Sequence, residues 1–396
     1  MPEQALLTGS SLFPLNVILV GDCQSVRPTL FRQAIFVENE YATPATALNL
    51  FKPSDDVRLF VVEVSSAAEI GAFKRLTEAF PGQLFLALVP ETADRKFLFE
   101  VMRAGARQVV ATPPEAEDLQ AVLDWFSNQF GYEASKSQVI AVAGVTGGAG
   151  TTSIALNLAY EIHVRHQMNV LLTELTSSVG SLATYLDFKP RHTTRALFNL
   201  PNAVDLQQMR EALTTVEEGF QVLPADNESI EPLDITPDKA HRLLTCCRRL
   251  SQMVVVDVPS EFDDVFFGTL GSAHHIVLVC NQSLASVRTV KMVHEALLRM
   301  DGVPRPVVLI NRFDSRNKAF SRSTLLRCLP GLDLVSVAYD PAIMQATDTG
   351  MPLRKSNPHA PALKDLDELA DSLNRQSVPA ANKSLVSRAL HALGLS

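Results

Sequence analysis

The chain has 396 residues, enough for two or three domains, and 46% of them are hydrophobic, enough to fill ordinary cores. Its net charge of −8 at pH 7 argues against a general nucleic-acid-binding protein, which would carry a basic surplus. Five cysteines without zinc-binding spacing, no signal-peptide pattern and no apolar run of roughly 20 residues predict a cytoplasmic protein, at most peripherally associated with a membrane.

The first third of the chain alternates short apolar strands with helical stretches. Runs rich in β-branched residues predict strands at 16–22, 57–64, 83–89 and 107–112. Helices are predicted at 70–80, 94–105 and 115–130, the last with acidic residues in its first turn, where they complement the helix dipole. Strands that alternate with helices indicate a parallel sheet, and we assign residues 1–132 to this domain.

A second, longer α/β pattern follows a polar linker at 131–137. Near-continuous apolar runs, typical of a parallel sheet covered on both faces, predict strands at 139–144, 169–175, 253–259, 275–281 and 306–312. We assign residues 133–375 to this domain and 376–396 to a linker and a short amphipathic C-terminal helix. We consider three interpretations of that helix: it docks back onto the core, it fits a groove on a partner, or, least favoured because its apolar stripe is short and carries few cations, it lies on a membrane surface.

The segment VMRAGARQVVATPPEAEDL, residues 101–119, resembles the end of a response-regulator receiver domain. Gly105-Ala106 and Pro113 match that family, whereas Thr112 stands where the family has a lysine. The resemblance implies a flavodoxin-like fold, with strands and helices alternating around a parallel sheet.

The phosphorylation chemistry of a receiver domain is incomplete in this sequence. Glu63 lies where the resemblance places the phosphoacceptor aspartate, and Asp22 alone remains of the acidic pair after the first strand. Aspartyl phosphorylation needs a carboxylate nucleophile, a magnesium ion held by acids and a lysine. We therefore predict a receiver-shaped domain used for protein contacts. The alternative is that Glu63 acts as a permanent mimic of phosphate.

The stretch VIAVAGVTGGAGTTSIALNLA, residues 139–159, has the layout of a phosphate-binding loop: a buried strand, a glycine-rich turn and a helix. In such loops backbone N–H groups surround the phosphates while a lysine reaches the β and γ oxygens. Residues 146–153 best match the variant loop of the MinD/ParA ATPases, K-G-G-x-G-K-T-T. The two lysines of that pattern are replaced by Thr146 and Thr151.

Three further segments resemble the MinD/ParA ATPases in the same order. VVVDVPSEFDD (254–264) resembles their second acidic strand, and VVLINRF (307–313) resembles the strand that ends in an adenine-reading asparagine. AYDPAIMQATDTGMPL (338–353) matches their closing segment. The resemblance covers residues 138–375 and implies a doubly wound, mostly parallel sheet.

The same resemblance implies a site for ATP with magnesium. Its binding residues would be Gly147, Gly148, Ala149, Gly150, Thr151, Thr152, Ser153, Asp257, Asn311 and Arg312, with Thr152 and Asp257 holding the magnesium if ATP binds. No catalytic residue is assigned, because Glu174 and Thr176 replace the two aspartates of the family's D-x-D pattern. The alternative is that the glycines form a tight strand-to-helix turn and the protein has no cofactor.

A degenerate receiver domain followed by a degenerate MinD/ParA domain is similar to the TadZ/CpaE family, the localisation factors of tight-adherence (Flp) type IV pilus machines. Residues 185–226 share that family's Tyr-Leu-Asp run, Arg-His-Thr turn and Gly-Phe-x-Val-Leu-Pro strand. The resemblance implies a cytoplasmic homodimer at the cell pole or the inner face of the inner membrane. It would recruit pilus or secretion components, such as the secretion ATPase. It would bind no nucleic acid.

Two functions remain open at this point. One is a non-catalytic scaffold, a pseudo-ATPase that dimerises and recruits partners, and the loss of both loop lysines favours it. The other is a slow ATP-switched dimer of the MinD/ParA class, with genuine nucleotide binding and weak hydrolysis.

Overall fold

The computed structural model describes residues 16–32, 35–52, 57–130, 137–200, 206–300 and 302–376. These residues form two sheets, each covered by helices on both faces. Most of the predicted linker at 131–137 lies outside the described residues. The predicted C-terminal linker and helix at 376–396 also lie outside them, apart from residue 376.

The N-terminal domain is built on a parallel sheet, which has five strands within the described residues, in the order β2-β1-β3-β4-β5. This is the flavodoxin-like order, so the predicted fold is confirmed. The strands are β1 (Asn16–Val20), β2 (Phe36–Tyr41), β3 (Arg58–Glu63), β4 (Leu84–Pro90) and β5 (Gln108–Thr112). The helices are α1 (Arg27–Arg32), α2 (Pro44–Leu50), α3 (Ala67–Ala79), α4 (Arg95–Arg103) and α5 (Ala116–Phe130).

Strand β2 was absent from the sequence prediction. It lies at the edge of the sheet, and its sequence FVENEY carries two acids that form ion pairs instead of facing a core. Glu38 pairs with the buried Arg58 of β3, and Glu40 pairs with Arg27 of α1. An edge strand with charged side chains lacks the apolar pattern that marks the central strands.

The second domain is built on a mostly parallel sheet with eight strands in the described part of the chain, in the order β13-β12-β11-β6-β10-β7-β9-β8. The pair β8–β9 is antiparallel and the other neighbouring pairs are parallel. The predicted doubly wound, mostly parallel sheet is therefore confirmed. The strands are β6 (Gln138–Gly144), β7 (Val170–Glu174), β8 (Thr214–Glu217), β9 (Phe220–Leu223), β10 (Met253–Val258), β11 (His275–Asn281), β12 (Val307–Phe313) and β13 (Asp333–Ala338).

Helices cover both faces of this sheet. They are α6 (Thr151–His166), α7 (Leu182–Tyr185), α8 (Thr194–Phe198), α9 (Leu206–Ala212), α10 (Pro237–Leu250), α11 (Asp264–Ser272), α12 (Leu284–Leu297), α13 (Arg322–Cys328), α14 (Pro341–Asp348), α15 (Leu353–Ser356) and α16 (Ala362–Gln376). None of the described helices is long and apolar enough to cross a lipid bilayer.

The central strand β6 explains why the second domain reads as apolar runs. Val139, Ala141 and Ala143 point into one hydrophobic layer, while Ile140 and Val142 point into the other. Burial of one valine or isoleucine side chain contributes about 1.5–3 kcal/mol, so the apolar run 139–143 stabilises the strand on both faces of the sheet. Strand β6 also lies where the strand order reverses, and α/β sheets bind ligands beyond the strand ends at such a point.

The two domains contact each other where α1 and the chain after it meet α10 and α11. Arg27 donates a hydrogen bond to Asp238, with 3.1 Å between Nη1 and Oδ1. The buried His241 ring hydrogen-bonds the backbone carbonyl of Ile35, and burial lowers the pKa of this imidazole to about 3. A neutral histidine therefore belongs to the contact between the domains.

Candidate functional site

The glycine-rich loop joins the end of β6 to the start of α6 and depends on glycine at two positions. Gly148 and Gly150 have φ angles of +71° and +87°, in the left-handed region that favours glycine. A Cβ on Gly150 would also lie 2.5 Å from Nδ2 of Asn311. The loop is therefore packed directly against the end of β12.

One side of the loop remains open. A Cβ added to Gly147 or Gly148 would meet no atom within 4 Å. The Ser153 Oγ, in the first turn of α6, is buried and has no hydrogen-bond partner in the described part of the protein. The first turn of α6 also contains no acidic residue, so its helix dipole is not compensated there. A free helix N-terminus beside an unpartnered hydroxyl has the features of an anion-binding site.

The two threonines that replace the lysines are packed within the chain. The Thr146 Oγ1 lies 3.2 Å from the Ser286 Oγ of α12. The Thr151 Oγ1 lies 2.6 Å from the place where a Cβ on Gly144 would stand. Neither side chain brings a positive charge to the loop.

The predicted magnesium ligands contact each other. Thr152 donates a hydrogen bond to Asp257, with 2.5 Å between Oγ1 and Oδ2. Asp257 lies in β10 and is 6% exposed, and its burial, aided by the nearby Glu174 carboxylate, raises its pKa to about 8. Hydroxyl and carboxylate oxygens are ligands that Mg²⁺ accepts.

These two residues would hold magnesium only together with other ligands. No cluster of three or more histidine, cysteine, aspartate or glutamate residues has metal-binding geometry in the described ranges. Mg²⁺ is usually held by one or two protein groups together with phosphate oxygens and water. The arrangement therefore fits a magnesium–nucleotide complex better than a dedicated protein metal site.

Glu174 has a role that its position in the sequence did not reveal. Its Oε1 accepts hydrogen bonds from the backbone N–H groups of Ser181 and Leu182, at 2.8 and 2.9 Å. Its Oε2 accepts one from the N–H of Ala225 at 2.9 Å. Burial raises the pKa of this carboxyl, while the three N–H groups act in the opposite direction. Glu174 thus ties the end of β7 to the start of α7 and to the chain after β9.

Asn311 and Arg312 complete the site at the end of β12. The Asn311 Nδ2 donates to the Ala149 carbonyl at 2.8 Å, and its Oδ1 accepts from the N–H of Arg312 at 2.9 Å. The Arg312 Nη1 donates to the Gly148 carbonyl at 3.3 Å. The structure therefore brings the ten predicted binding residues together around one loop. That Asn311 reads adenine remains a prediction.

Tyr185 lies near the same site and was not predicted as a binding residue. It is half-buried at the end of α7, and its burial raises its pKa. The carboxylates of Asp257 and Glu174 raise this pKa further, whereas the charge of Arg312 lowers it. The Tyr-Leu-Asp run that begins at this residue was the signal that could have identified it.

In the N-terminal domain, Glu63 is engaged by its own chain. Its Oε2 accepts from the N–H of Asp22 at 2.8 Å, and its Oε1 accepts from the Ser65 hydroxyl at 2.9 Å. The side chain also lies against Gly21, where a Cβ would come within 2.7 Å of the Glu63 Cβ. Glu63 therefore links the loops after β1 and β3.

Residues 137–372, more than half of the chain, match the family model described as cellulose biosynthesis protein BcsQ. The chain belongs to the BcsQ family. This BcsQ-family chain carries a MinD/ParA-like P-loop domain behind an N-terminal parallel α/β domain. No curated protein was found to match it.

Solved structures resemble the second domain of this BcsQ-family chain. A ParA family ATPase from Chlorobium tepidum TLS is 18% identical with a TM-score of 0.53, over 59% of this chain and 98% of that one. The septum site-determining protein MinD from Pyrococcus horikoshii OT3, complexed with Mg-ADP, is 17% identical with a TM-score of 0.51. This match covers 62% of this chain and 99% of that one. The MinC:MinD cell division protein complex of Aquifex aeolicus is 19% identical with a TM-score of 0.52, and the match covers 62% of this chain and 100% of that one. At such identities the likeness shows a common fold.

Proposed function

We propose that this protein is a non-catalytic scaffold of the BcsQ family, a cytoplasmic homodimer that marks a site at the cell envelope and recruits other proteins to it. The observation that carries the proposal is the pair of threonines in the loop. Thr146 contacts Ser286 and Thr151 packs against Gly144, so the loop itself supplies no cation to a transferring phosphoryl group.

The residues that would position the attacking water for hydrolysis are also replaced. Phosphoryl transfer depends on groups that position the attacking water and on charges that stabilise the transferring group. Glu174 stands at the first position of the expected D-x-D pattern, and its carboxylate is used by backbone N–H groups. Thr176 stands at the second position, and its Oγ1 lies 3.0 Å from the Oγ of Ser178. Because one positioned group is worth about 10²–10³ in rate, loss of several makes turnover negligible.

Two kinds of machine are candidate partners. The similarity of residues 185–226 to TadZ/CpaE supports a tight-adherence (Flp) pilus or a related secretion machine, whose secretion ATPase would be one of the recruited components. The name of the matched family supports cellulose biosynthesis instead. Deleting the gene and scoring piliation and cellulose production separately distinguishes the two.

A slow ATP-switched dimer is the second candidate function. The contact between Thr152 and Asp257 and the open side of the loop at Gly147 and Gly148 favour it, because both are needed to hold Mg-ATP. In this case the protein would exchange between a monomer and an ATP-bound dimer.

One experiment separates the candidates. Phosphate release and mass in solution are measured for the full chain with and without Mg-ATP, together with the Asp257→Asn variant. A dimer that is insensitive to Mg-ATP and releases no phosphate above the protein-free rate supports the scaffold. A dimer that forms only with Mg-ATP, with turnover lost in Asp257→Asn, supports the switch and contradicts the scaffold.

A further inference from the structure

We propose that Arg312 supplies the positive charge that the loop lysines supply in the MinD/ParA pattern. Its guanidinium would contact the polyphosphate of a nucleoside di- or triphosphate bound at the loop. This inference goes beyond the scaffold function, since a scaffold that does not hydrolyse ATP can still bind a nucleotide.

The backbone around Arg312 aims its side chain at the loop. Ile310 pairs with Ser336 and Phe313 pairs with Ala338, so two residues of β12 oppose one residue of β13. This is a β-bulge, a feature that redirects a side chain at the end of a strand. Arg312 also has a φ angle of +52°, which is unfavourable for a residue other than glycine.

Local backbone strain of this kind persists only where the surroundings enforce it. Here the side chain of Asn311 enforces it, because its Oδ1 accepts from the N–H of Arg312 while its Nδ2 holds the carbonyl of Ala149. The result is a guanidinium 3.3 Å from the carbonyl of Gly148, at the open side of the loop.

The charge of Arg312 has no counterion in the described part of the chain. No carboxylate there lies within ion-pair distance of it, whereas the neighbouring Arg316 forms an ion pair with Asp314 at 2.9 Å. The guanidinium also lies beside the N-terminus of α6, which carries a partial positive charge of its own. Two adjacent positive potentials, with no ion pair to Arg312 among the described residues, favour a bound anion.

Arginine suits a phosphate ligand because its planar fork of N–H groups matches phosphate oxygens. The adjacent Gly147 and Gly148 leave open space, and the Ser153 hydroxyl is buried and unpartnered among the described residues. A loop, a hydroxyl and one cation can hold a chain of phosphates, whereas a single phosphate would reach only part of this set. We therefore expect a preference for ATP and ADP over AMP.

The test is a calorimetric titration of the full chain with Mg-ATP, Mg-ADP and AMP. We expect Arg312→Gln to weaken ATP and ADP binding about 10- to 100-fold, the loss of one charge-assisted contact, and AMP binding much less. Arg316 lies just after β12 and forms an ion pair with Asp314; Arg316→Gln removes a positive charge four positions from Arg312, and we expect this variant to bind like the wild type. Arg312→Lys should retain part of the affinity.

A second variant tests the substitution directly. Thr151→Lys restores the lysine of the MinD/ParA pattern, so we expect the double variant Arg312→Gln, Thr151→Lys to recover ATP affinity. The inference is overturned if the wild type binds neither ATP nor ADP, or if Arg312→Gln binds them normally. It is also overturned if Arg312→Gln weakens all three nucleotides equally, if Arg316→Gln has the same effect, or if the double variant shows no recovery. None of these results would alter the mass or turnover measurements that test the scaffold.

Discussion

Thr152, in the first turn of α6, donates a hydrogen bond to Asp257 in β10, with 2.5 Å between the two oxygens. This bond joins the helix after the glycine-rich loop to the strand beside it, so the two residues that would hold magnesium contact each other. The nearby Glu174 carboxylate raises the pKa of Asp257, and Asp257 in turn raises the pKa of Tyr185, so both of these side chains lie near the same pair.

Replacing Asp257 by asparagine is expected to remove the magnesium dependence of nucleotide binding. Asparagine keeps the size of the side chain but cannot ionise to the carboxylate that Mg²⁺ binds. Calorimetry with ATP in the presence of Mg²⁺ or EDTA measures this, with the exposed Asp264→Asn as the control. An ATP affinity of Asp257→Asn that still rises with Mg²⁺ would contradict the assignment.

Glu174→Gln is expected to destabilise the second domain by about 2–4 kcal/mol. A glutamine offers one acceptor oxygen to the N–H groups of Ser181, Leu182 and Ala225, and its own NH₂ would face at least one of them. Urea unfolding measures the loss, and amide hydrogen exchange should accelerate at these residues. The control Glu261→Gln removes an exposed carboxylate bonded to Ser177 and should cost under about 0.5 kcal/mol. Equal stability of the two variants would count against this role of Glu174.

Gly150→Ala is expected to destabilise the protein by about 1–3 kcal/mol. The new Cβ would lie 2.5 Å from the Asn311 side chain, and the backbone there has a φ angle of +87°. Gly147→Ala is the matched control in the same loop, since its Cβ would meet nothing within 4 Å. Thermal unfolding of both variants decides the point, and a similar loss in both would show that the close packing against Asn311 is unimportant.

His241 is expected to make the folded protein sensitive to acid. Burial lowers the pKa of its imidazole to about 3 from an ordinary value of 6.5, so the unfolded chain binds a proton that the folded chain does not. The stability contribution is complete above pH 6.5 and is lost as the pH falls toward 3, by up to about 1.4 kcal/mol per pH unit.

Urea unfolding between pH 4 and 6.5 tests this prediction. The wild type should lose more stability over this range than His241→Phe, which carries no titratable group. The exposed His359→Gln should keep the slope of the wild type. Identical slopes for the wild type and His241→Phe would refute the prediction.

Several features of this protein follow from short stretches of sequence. The apolar runs of β6 and β10, the glycine loop and the start of α6 were recognisable because hydrophobic periodicity and left-handed backbone are properties of neighbouring residues. The order of such segments along the chain also indicated the MinD/ParA fold. The edge strand β2 escaped this approach, since it is defined by pairing with β1 and by the ion pair of Glu38 with Arg58.

The site depended on contacts between distant parts of the chain. Sequence placed Arg312 and Asn311 at the end of a strand, but only the folded sheet brings Arg312 to Gly148, 164 positions away. The sequence likewise showed that Glu174 replaces the first aspartate of the D-x-D pattern. Only the fold brings the Glu174 carboxylate to the N–H of Ala225, 51 positions further along the chain. Local sequence determines which segments form strands and helices, because that choice depends on near neighbours. The direction of a side chain at a strand end is decided by the neighbouring strands and loops, so the tertiary structure alone determined which charges meet at the loop.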